Sequence, residues 1–540
     1  MKEWMLKEPT TRTSLAAGRS PVFAAGGLVA TSQPLAAEVG LQILKEGGNA
    51  MDAAIATAAA LNVVEPQSTG VGGDMFMLYW DADAKKLLGL NGSGKSPAKA
   101  TLSRYQEFSS MPETGIYSCT LPGAVDGWFA AHERCGSGKK TMSELLQPAI
   151  QYAEDGFPLS PIISRAWANQ TEKLKKCEFS SRFYLPAERP PKVGERFRNQ
   201  KLGVSLRTIA DGGREAFYEG PIAEEIVRYT KEIGGLFELE DFAATKCEWV
   251  EPIRAKYRGY ELCEIPPSGQ GVTALVCLNL IDAYHLGEMS YGSADHLHIV
   301  IEAMKLAFAD RDRYVADMAK ADVPLAGLLS AEYADERRRL IDEKKAGSPG
   351  PGNPKNWNDT IYLTVADSQG NMCSFINSLF HHFGSGITGG ETGIMLQNRG
   401  SGFVLEEGHP NCIAPEKRPL HTIIPGFVMK DGEPWMSFGV MGGDMQPQGH
   451  VQVLSNMVDF GMDIQEAIEA PRFRVLGGRA VAIESGVPEA VLRELESRGH
   501  DVRRAGGYEG FGGGQGIVRL DEGVFMGGSD HRRDGCAAGF

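Results

Sequence analysis

An α/β fold is what this sequence predicts, on three observations. Residues 33–64 carry two apolar runs at helical spacing. Residues 360–378 carry two segments in which residue types alternate along the chain. Beyond them, short strand-like runs and Gly-rich turns are interspersed with helical stretches around 451–462 and 489–498. A repeat of roughly 25 to 30 residues, the period of a solenoid, is absent.

The elements follow in order. Leu35, Val39, Ile43 and Leu44 keep helical spacing and stop at Gly47-Gly48, after which Asn49 can cap an Ala-rich helix from Met51 to Leu61. Gly70-Val71-Gly72-Gly73-Asp74 reads as a turn feeding a buried strand over 75–80. A dinucleotide fingerprint needs a strand before the glycines and a helix after them, so this turn is not read as a phosphate cradle. Residues 143–346 read as largely helical, with Pro266-Pro267-Ser268-Gly269-Gln270-Gly271 as a loop ahead of an apolar helix over 272–284. Residues 346–355 are too rich in Gly and Pro for a helix or central strand and read as an exposed tether.

Composition narrows the function classes. With 540 residues, 42% of them hydrophobic, the chain can bury a large core. A formal net charge of −14 gives no global attraction to nucleic acid or anionic lipid, so neither is an expected partner. The first thirty residues hold no uninterrupted apolar run of secretory-signal type, and no window approaches the roughly 18 to 20 apolar residues of a membrane span, so a cytoplasmic location is expected. Nine cysteines without a CxxC pair point to buried free thiols, and neither a disulfide framework nor a zinc ribbon is expected.

The chemistry is concentrated after the tether. If the Asp359–Thr360 bond is cut, Thr360 becomes an N-terminal residue carrying a hydroxyl nucleophile and, in its α-amine, a base. A cleavable bond needs a segment that escapes tight packing, which the tether would supply. Residues 360–367 and 371–378 read as a hairpin joined by Ser368-Gln369-Gly370, with Gly370 at the left-handed position. Asp367 opposite Asn371 sets Ser378 opposite Thr360, where its hydroxyl can position the nucleophile's proton. Met441-Gly442-Gly443-Asp444 offers two adjacent backbone N–H groups, unshielded by side chains, for a developing oxyanion.

Together these segments resemble the γ-glutamyltransferase family of N-terminal-nucleophile hydrolases over almost the whole chain. Leu44-Lys45-Glu46-Gly47-Gly48-Asn49-Ala50-Met51-Asp52-Ala53-Ala54 is similar to the family's N-terminal signature. Pro97-Ala98-Lys99-Ala100, Pro122-Gly123, Gly292-Ser293-Ala294-Asp295, Phe383-Gly384-Ser385-Gly386, Lys417-Arg418-Pro419-Leu420 and Ala470-Pro471-Arg472-Phe473 follow in family order. The resemblance implies an αββα sandwich made as a precursor and cut between Asp359 and Thr360. The products would be an associated large subunit, 1–359, ending in a flexible linker from about 346, and a small subunit, 360–540. It places Thr360 on the catalytic threonine, Ser378 on its supporting hydroxyl and Gly442-Gly443 on the oxyanion pair, and implies no metal or organic cofactor.

Departures from the family concern the substrate. Asn91-Gly92-Ser93-Gly94-Lys95-Ser96 lacks the arginine with which glutathione-processing members hold the γ-glutamyl carboxylate. Phe380 replaces their substrate-binding asparagine, Gly402 replaces the aspartate that meets the α-amino group, and His421-Thr422 replaces paired serines. The segments around Gln397-Asn398-Arg399-Gly400 and 441–448 are similar instead to a divergent branch that includes oxamate amidohydrolase and γ-glutamyltransferase-like acylases. Arg399 can then replace the missing arginine as a carboxylate clamp. Arg399, Phe380, His421 and Thr422 form the expected substrate site, and the expectation is hydrolysis of small acidic amides through a threonyl acyl-enzyme, or transfer of the acyl group to an amine. The alternatives are a true glutathione hydrolase acting on γ-glutamyl peptides and a non-catalytic family member.

Overall fold

The computed structural model describes residues 18–349, 361–507 and 509–540. Two seven-stranded antiparallel sheets form its centre. One runs, edge to edge, Val22–Ala24, Phe525–Ser529, Gly513–Arg519, Glu433–Met441, Gly426–Lys430, Tyr260–Glu264 and Ile253–Tyr257. The other runs Cys536–Gly539, Gly27–Thr31, Ile361–Asp367, Met372–Ser378, Asp74–Asp81, Lys86–Gly92 and Glu248–Val250.

An apolar cluster joins the sheets through Leu28, Phe76, Leu78, Tyr362 and Ile376 on one side and Cys263, Phe427, Met441, Ile517 and Phe525 on the other. Leu363, Val365 and Phe375 point the opposite way, into a core with the helices Pro34–Lys45 and Ala50–Val64. The helices Gly271–Ile281, Ala294–Tyr314 and Met445–Val458 cover the outer face of the first sheet. Strands buried on both faces need apolar residues at successive positions, which explains the run Met75-Phe76-Met77-Leu78-Tyr79-Trp80.

The N-terminal helices form as their sequence dictates. Asn49 Oδ1 accepts from the Met51 and Asp52 amides while the Asp52 carboxylate accepts from the Asn49 amide, closing a capping box worth about 1 kcal/mol. The hairpin forms in the expected register, with Ile361 opposite Asn377 and Ala366 opposite Met372, and Gly370 adopts φ +90° in its loop. Asp367 fastens this hairpin to the helical layer: its carboxylate accepts from the Ala50, Gln369 and Asn371 amides.

One expectation gains a detail and another needs correction. The stretch 143–346 is largely helical, as expected, but within it Ile253–Tyr257 and Tyr260–Glu264 pair as a hairpin turning at Arg258-Gly259, both with positive φ, and complete the edge of a sheet. The tether does not begin exposed at Ala346, which is buried and donates its N–H to the Arg498 carbonyl at 2.7 Å. Residues 350–360, including Asp359 and Thr360, lie outside the described residues. All nine cysteines are free thiols, six of them buried.

Candidate active site

Ser378 ends its strand with Asn377 and Ile361 as the last described pair on one side and, on the other, Asp74 as its own partner. The chain then turns sharply. The Ser378 hydroxyl accepts from the Phe380 amide at 2.9 Å, and Phe380 takes φ +82°, a conformation that costs a bulky residue about 1–3 kcal/mol and persists only where its surroundings hold it. The Phe380 ring lies 4.0 Å from the Arg399 guanidinium, a cation–π contact that fixes both.

Arg399 is the hub of this site. Fully buried, it donates from Nη2 to Ser378 Oγ at 3.2 Å and from Nη1 to Thr422 Oγ1 at 2.7 Å, while Nε has no partner among the described residues. Burial pushes the guanidinium down to about 9, and the Asp74 carboxylate opposes that shift, so it stays charged at neutral pH. It makes no ion pair within 4 Å among the described residues. A buried cation without a directly bonded counter-charge is costly and favours an incoming anion.

Asp74 organises the groups around it. Oδ1 accepts from the Gly94 amide at 2.8 Å and from Gln397 Nε2 at 2.8 Å, and Oδ2 lies 2.9 Å from His421 Nε2. Burial, and then the nearby Arg399 charge, push His421 down to about 4. The imidazole is therefore neutral at pH 7, with its Nε2 proton donated to Asp74 and Nδ1 accepting from the Ile423 amide at 3.4 Å. His421 thus orients Thr422 and is held as a fixed dipole. Gly94 permits this packing, since a Cβ there would lie 1.5 Å from the Leu121 carbonyl oxygen.

Gly442 and Gly443 stand between the strand Glu433–Met441 and the helix Met445–Val458, with φ of +120° and +59°. Among the described residues neither amide N–H donates to an acceptor, and both precede a helix N-terminus, where partial positive charge accumulates. Gln270 fixes the pair by donating from Nε2 to the Gly443 carbonyl at 3.0 Å and to the Thr422 carbonyl at 2.9 Å. Arg311 braces it, donating to Gln270 Oε1 at 2.9 Å and to Asp444 Oδ1 at 2.6 Å. Gly442 also lines a cleft of about 290 Å³.

The structure thus brings Ser378, Phe380, Arg399 and Thr422 into one contact network, joins His421 to it through Asp74, and links Gly443 to it through Gln270. Asp74 and Gln270 were missed as site residues. Their signal was a polar residue at or next to the end of each of two Gly-containing loops, 70–74 and 266–271, ahead of apolar elements. Gly402 explains one departure: a Cβ there would lie 2.7 Å from the Leu420 carbonyl oxygen, so an aspartate does not fit without movement.

Residues 36–540 match the family model described as gamma-glutamyltranspeptidase. The chain belongs to the gamma-glutamyltranspeptidase family. It is 38% identical over 519 residues to the glutathione hydrolase-like YwrD proenzyme of Bacillus subtilis, covering 95% of this chain and 98% of that protein. It is 34% identical to the oxamate amidohydrolase proenzyme of Klebsiella pneumoniae, covering 95% and 98%. Among solved structures, the cephalosporin acylase from Bacillus halodurans superposes with a TM-score of 0.92 at 42% identity, with 99% of each chain covered. The family relatives are hydrolases and acylases, and this member of the gamma-glutamyltranspeptidase family is an enzyme with the mixed α/β fold of those relatives.

Proposed function

We propose that this enzyme is a self-processing N-terminal-threonine amidohydrolase of αββα architecture that cleaves small acidic amides. Cutting before Thr360 yields a large subunit, 1–359, and a small subunit, 360–540, that remain packed together. The observation that carries the reading is the pair of N–H groups at Gly442 and Gly443, without an acceptor among the described residues and held by Gln270 at the start of a helix. The hairpin register supports it: Ile361 opposite Asn377 is the register from which the sequence expects Thr360 opposite Ser378.

In this mechanism the Thr360 hydroxyl adds to the amide carbonyl as its α-amine takes the proton. The Gly442 and Gly443 amides hold the oxyanion, and the α-ammonium returns the proton to the departing amine. Water, activated by the same amine, hydrolyses the threonyl ester. Ser378 positions the nucleophile, and Arg399 supplies positive charge for a carboxylate on the acyl group.

The reading favours acidic amides over γ-glutamyl peptides because Gly402 leaves no room for an anionic partner to an α-ammonium and Arg399 adds a buried cation instead. A panel of oxamate, glutaryl amides and glutathione tests it. Quenching during turnover and mass analysis of the peptide beginning at Thr360 is expected to reveal the acyl group on that peptide. Turnover preserved in Thr360→Ala would contradict it.

A further inference from the structure

We propose that His298 and His500 form a proton-sensitive clasp on residues 342–347, the stem of the chain that leads to Thr360, closed while both imidazoles are neutral and opened as they take up protons. Its placement across two subunits rests on the proposed cut before Thr360: His298, Glu302, Lys305 and the stem then belong to the large subunit, and Arg498 and His500 to the small one.

His298, Glu302 and Lys305 share one face of the helix Ala294–Tyr314 and are buried together with His500. The stem is fastened to them. The Asp342 carbonyl accepts from His298 Nε2 at 2.8 Å, the Gly347 amide donates to Glu302 Oε2 at 2.9 Å, and the Gly347 carbonyl accepts from Lys305 Nζ at 3.1 Å. Ala346 donates its N–H to the Arg498 carbonyl, and Arg498 Nη1 reaches the Glu343 carbonyl at 3.3 Å.

These partners settle the order of protons through the cluster. A carbonyl only accepts, so His298 carries its proton on Nε2 and presents a lone pair at Nδ1. His500 Nε2, 2.8 Å away, donates to that lone pair, which leaves the His500 Nδ1 lone pair toward Lys305 Nζ at 3.4 Å. A further proton finds no acceptor on either ring. At His298 Nδ1 it would meet the His500 N–H, and at His500 Nδ1 it would meet an ammonium. Glu302 is the one carboxylate within 4 Å of either imidazole among the described residues, and its Oε1 already accepts from Lys305 at 2.7 Å. The other charges acting on the cluster are cationic: Arg498 on both rings and Arg479 on Lys305. The carboxylates of Asp295 and Glu494 are half exposed and pair with Arg498.

Burial, and then the charges of Lys305, His298 and Arg498, push His500 down to about 3, and burial lowers His298 as well. With the clasp open, an exposed imidazole titrates near 6.5. The open state therefore binds more protons than the closed one below about 6.5, and the clasp weakens as pH falls from there toward 3, about tenfold per pH unit for each histidine that opening exposes.

Hydrogen–deuterium exchange of the full chain at pH 7.5 and 5.5, corrected for the intrinsic pH dependence of exchange, reads the Ala346 and Gly347 amides. In wild type their protection should fall about tenfold or more at pH 5.5, while the helix Ala50–Val64 stays protected. His500→Gln keeps an acceptor for Lys305 and a donor for His298 but takes no proton, so its fall should be about tenfold smaller than that of wild type. His298→Gln repeats the test at the second ring. Stem protection already lost at pH 7.5 in both variants, with the Ala50–Val64 helix intact, would support the clasp by showing that the two imidazoles hold the stem. Wild-type protection that does not change with pH, a fall shared by the Ala50–Val64 helix, or the same fall in wild type and both variants would overturn it. Exchange is read whether or not the chain is cut. A single uncut chain with a pH-sensitive stem contradicts the cut and leaves the clasp, and two chains with a pH-insensitive stem contradict the clasp alone.

Discussion

Arg399 donates to the hydroxyl of Ser378 at 3.2 Å, so the residue with the buried charge and the residue at the end of the hairpin strand are a single hydrogen-bonded unit. A bidentate guanidinium links Ser378 to Thr422, and a lysine can offer only a point charge in its place. Arg399→Lys should lower kcat/KM for acidic amides about 10- to 100-fold more than for neutral ones, while any loss shared by both reports the weakened hold on Ser378. Steady-state kinetics on matched glutaryl and butyryl anilides separate these components. Identical losses on the two series would show that Arg399 serves Ser378 alone.

Ser378→Ala removes the acceptor for Phe380 and Arg399 together with a hydroxyl from the end of the strand. The expected result is slower maturation and a fall in kcat of roughly ten- to a thousand-fold with the fold retained. Gel densitometry of the cut and uncut chains over time, alongside kcat, measures both. Wild-type rates in both would remove Ser378 from the mechanism.

Gly442→Ala places a Cβ 3.0 Å from the Gly512 Cα at φ +120°, so the peptide must rotate and carry its N–H away. Loss of one such donor costs about 10²–10³ in kcat. KM should move much less, because the ground-state carbonyl depends less on this donor than the oxyanion does. A change confined to KM would place the Gly pair in substrate binding instead.

Stability at acid pH should depend on Asp530, which is fully buried among Arg472, Arg532 and the Gly514 amide. Burial alone would raise its carboxyl, but the two guanidiniums and the backbone donors outweigh that and hold it below the usual range. Its stabilisation is therefore full above the unfolded value of about 4 and is lost as pH falls toward the depressed folded value. Asp530→Asn should cost about 3–5 kcal/mol at pH 7 and flatten the loss of stability below pH ~4. Urea denaturation at pH 7 and at pH 3.5 checks the magnitude and the sign.

Much of this arrangement is legible locally. Asn49 and Asp52 announce a helix start within four residues, and Gly370 fixes the hairpin register, because capping and tight turns are decided by adjacent residues. Arg258-Gly259 carried a similar signal within Ile253–Glu264, but the apolar helices around it dominate the periodicity of that region. The roles of Asp74 and Gln270 were not legible: Asp74 meets His421 across 347 positions of sequence and Gln270 meets Gly443 across 173. Nothing local marks such partners. The burial of Arg399 was hidden for the same reason, since a charged residue beside a glycine reads as surface until the sheets are packed.

The most direct test is intact-mass and N-terminal analysis of the purified wild-type protein beside Thr360→Ala. Wild type should resolve into two associated chains, the smaller beginning at Thr360, and Thr360→Ala should stay a single uncut chain without amidase activity. A smaller chain that begins at any other residue, or an uncut wild-type chain that hydrolyses acidic amides, would contradict the N-terminal-threonine mechanism.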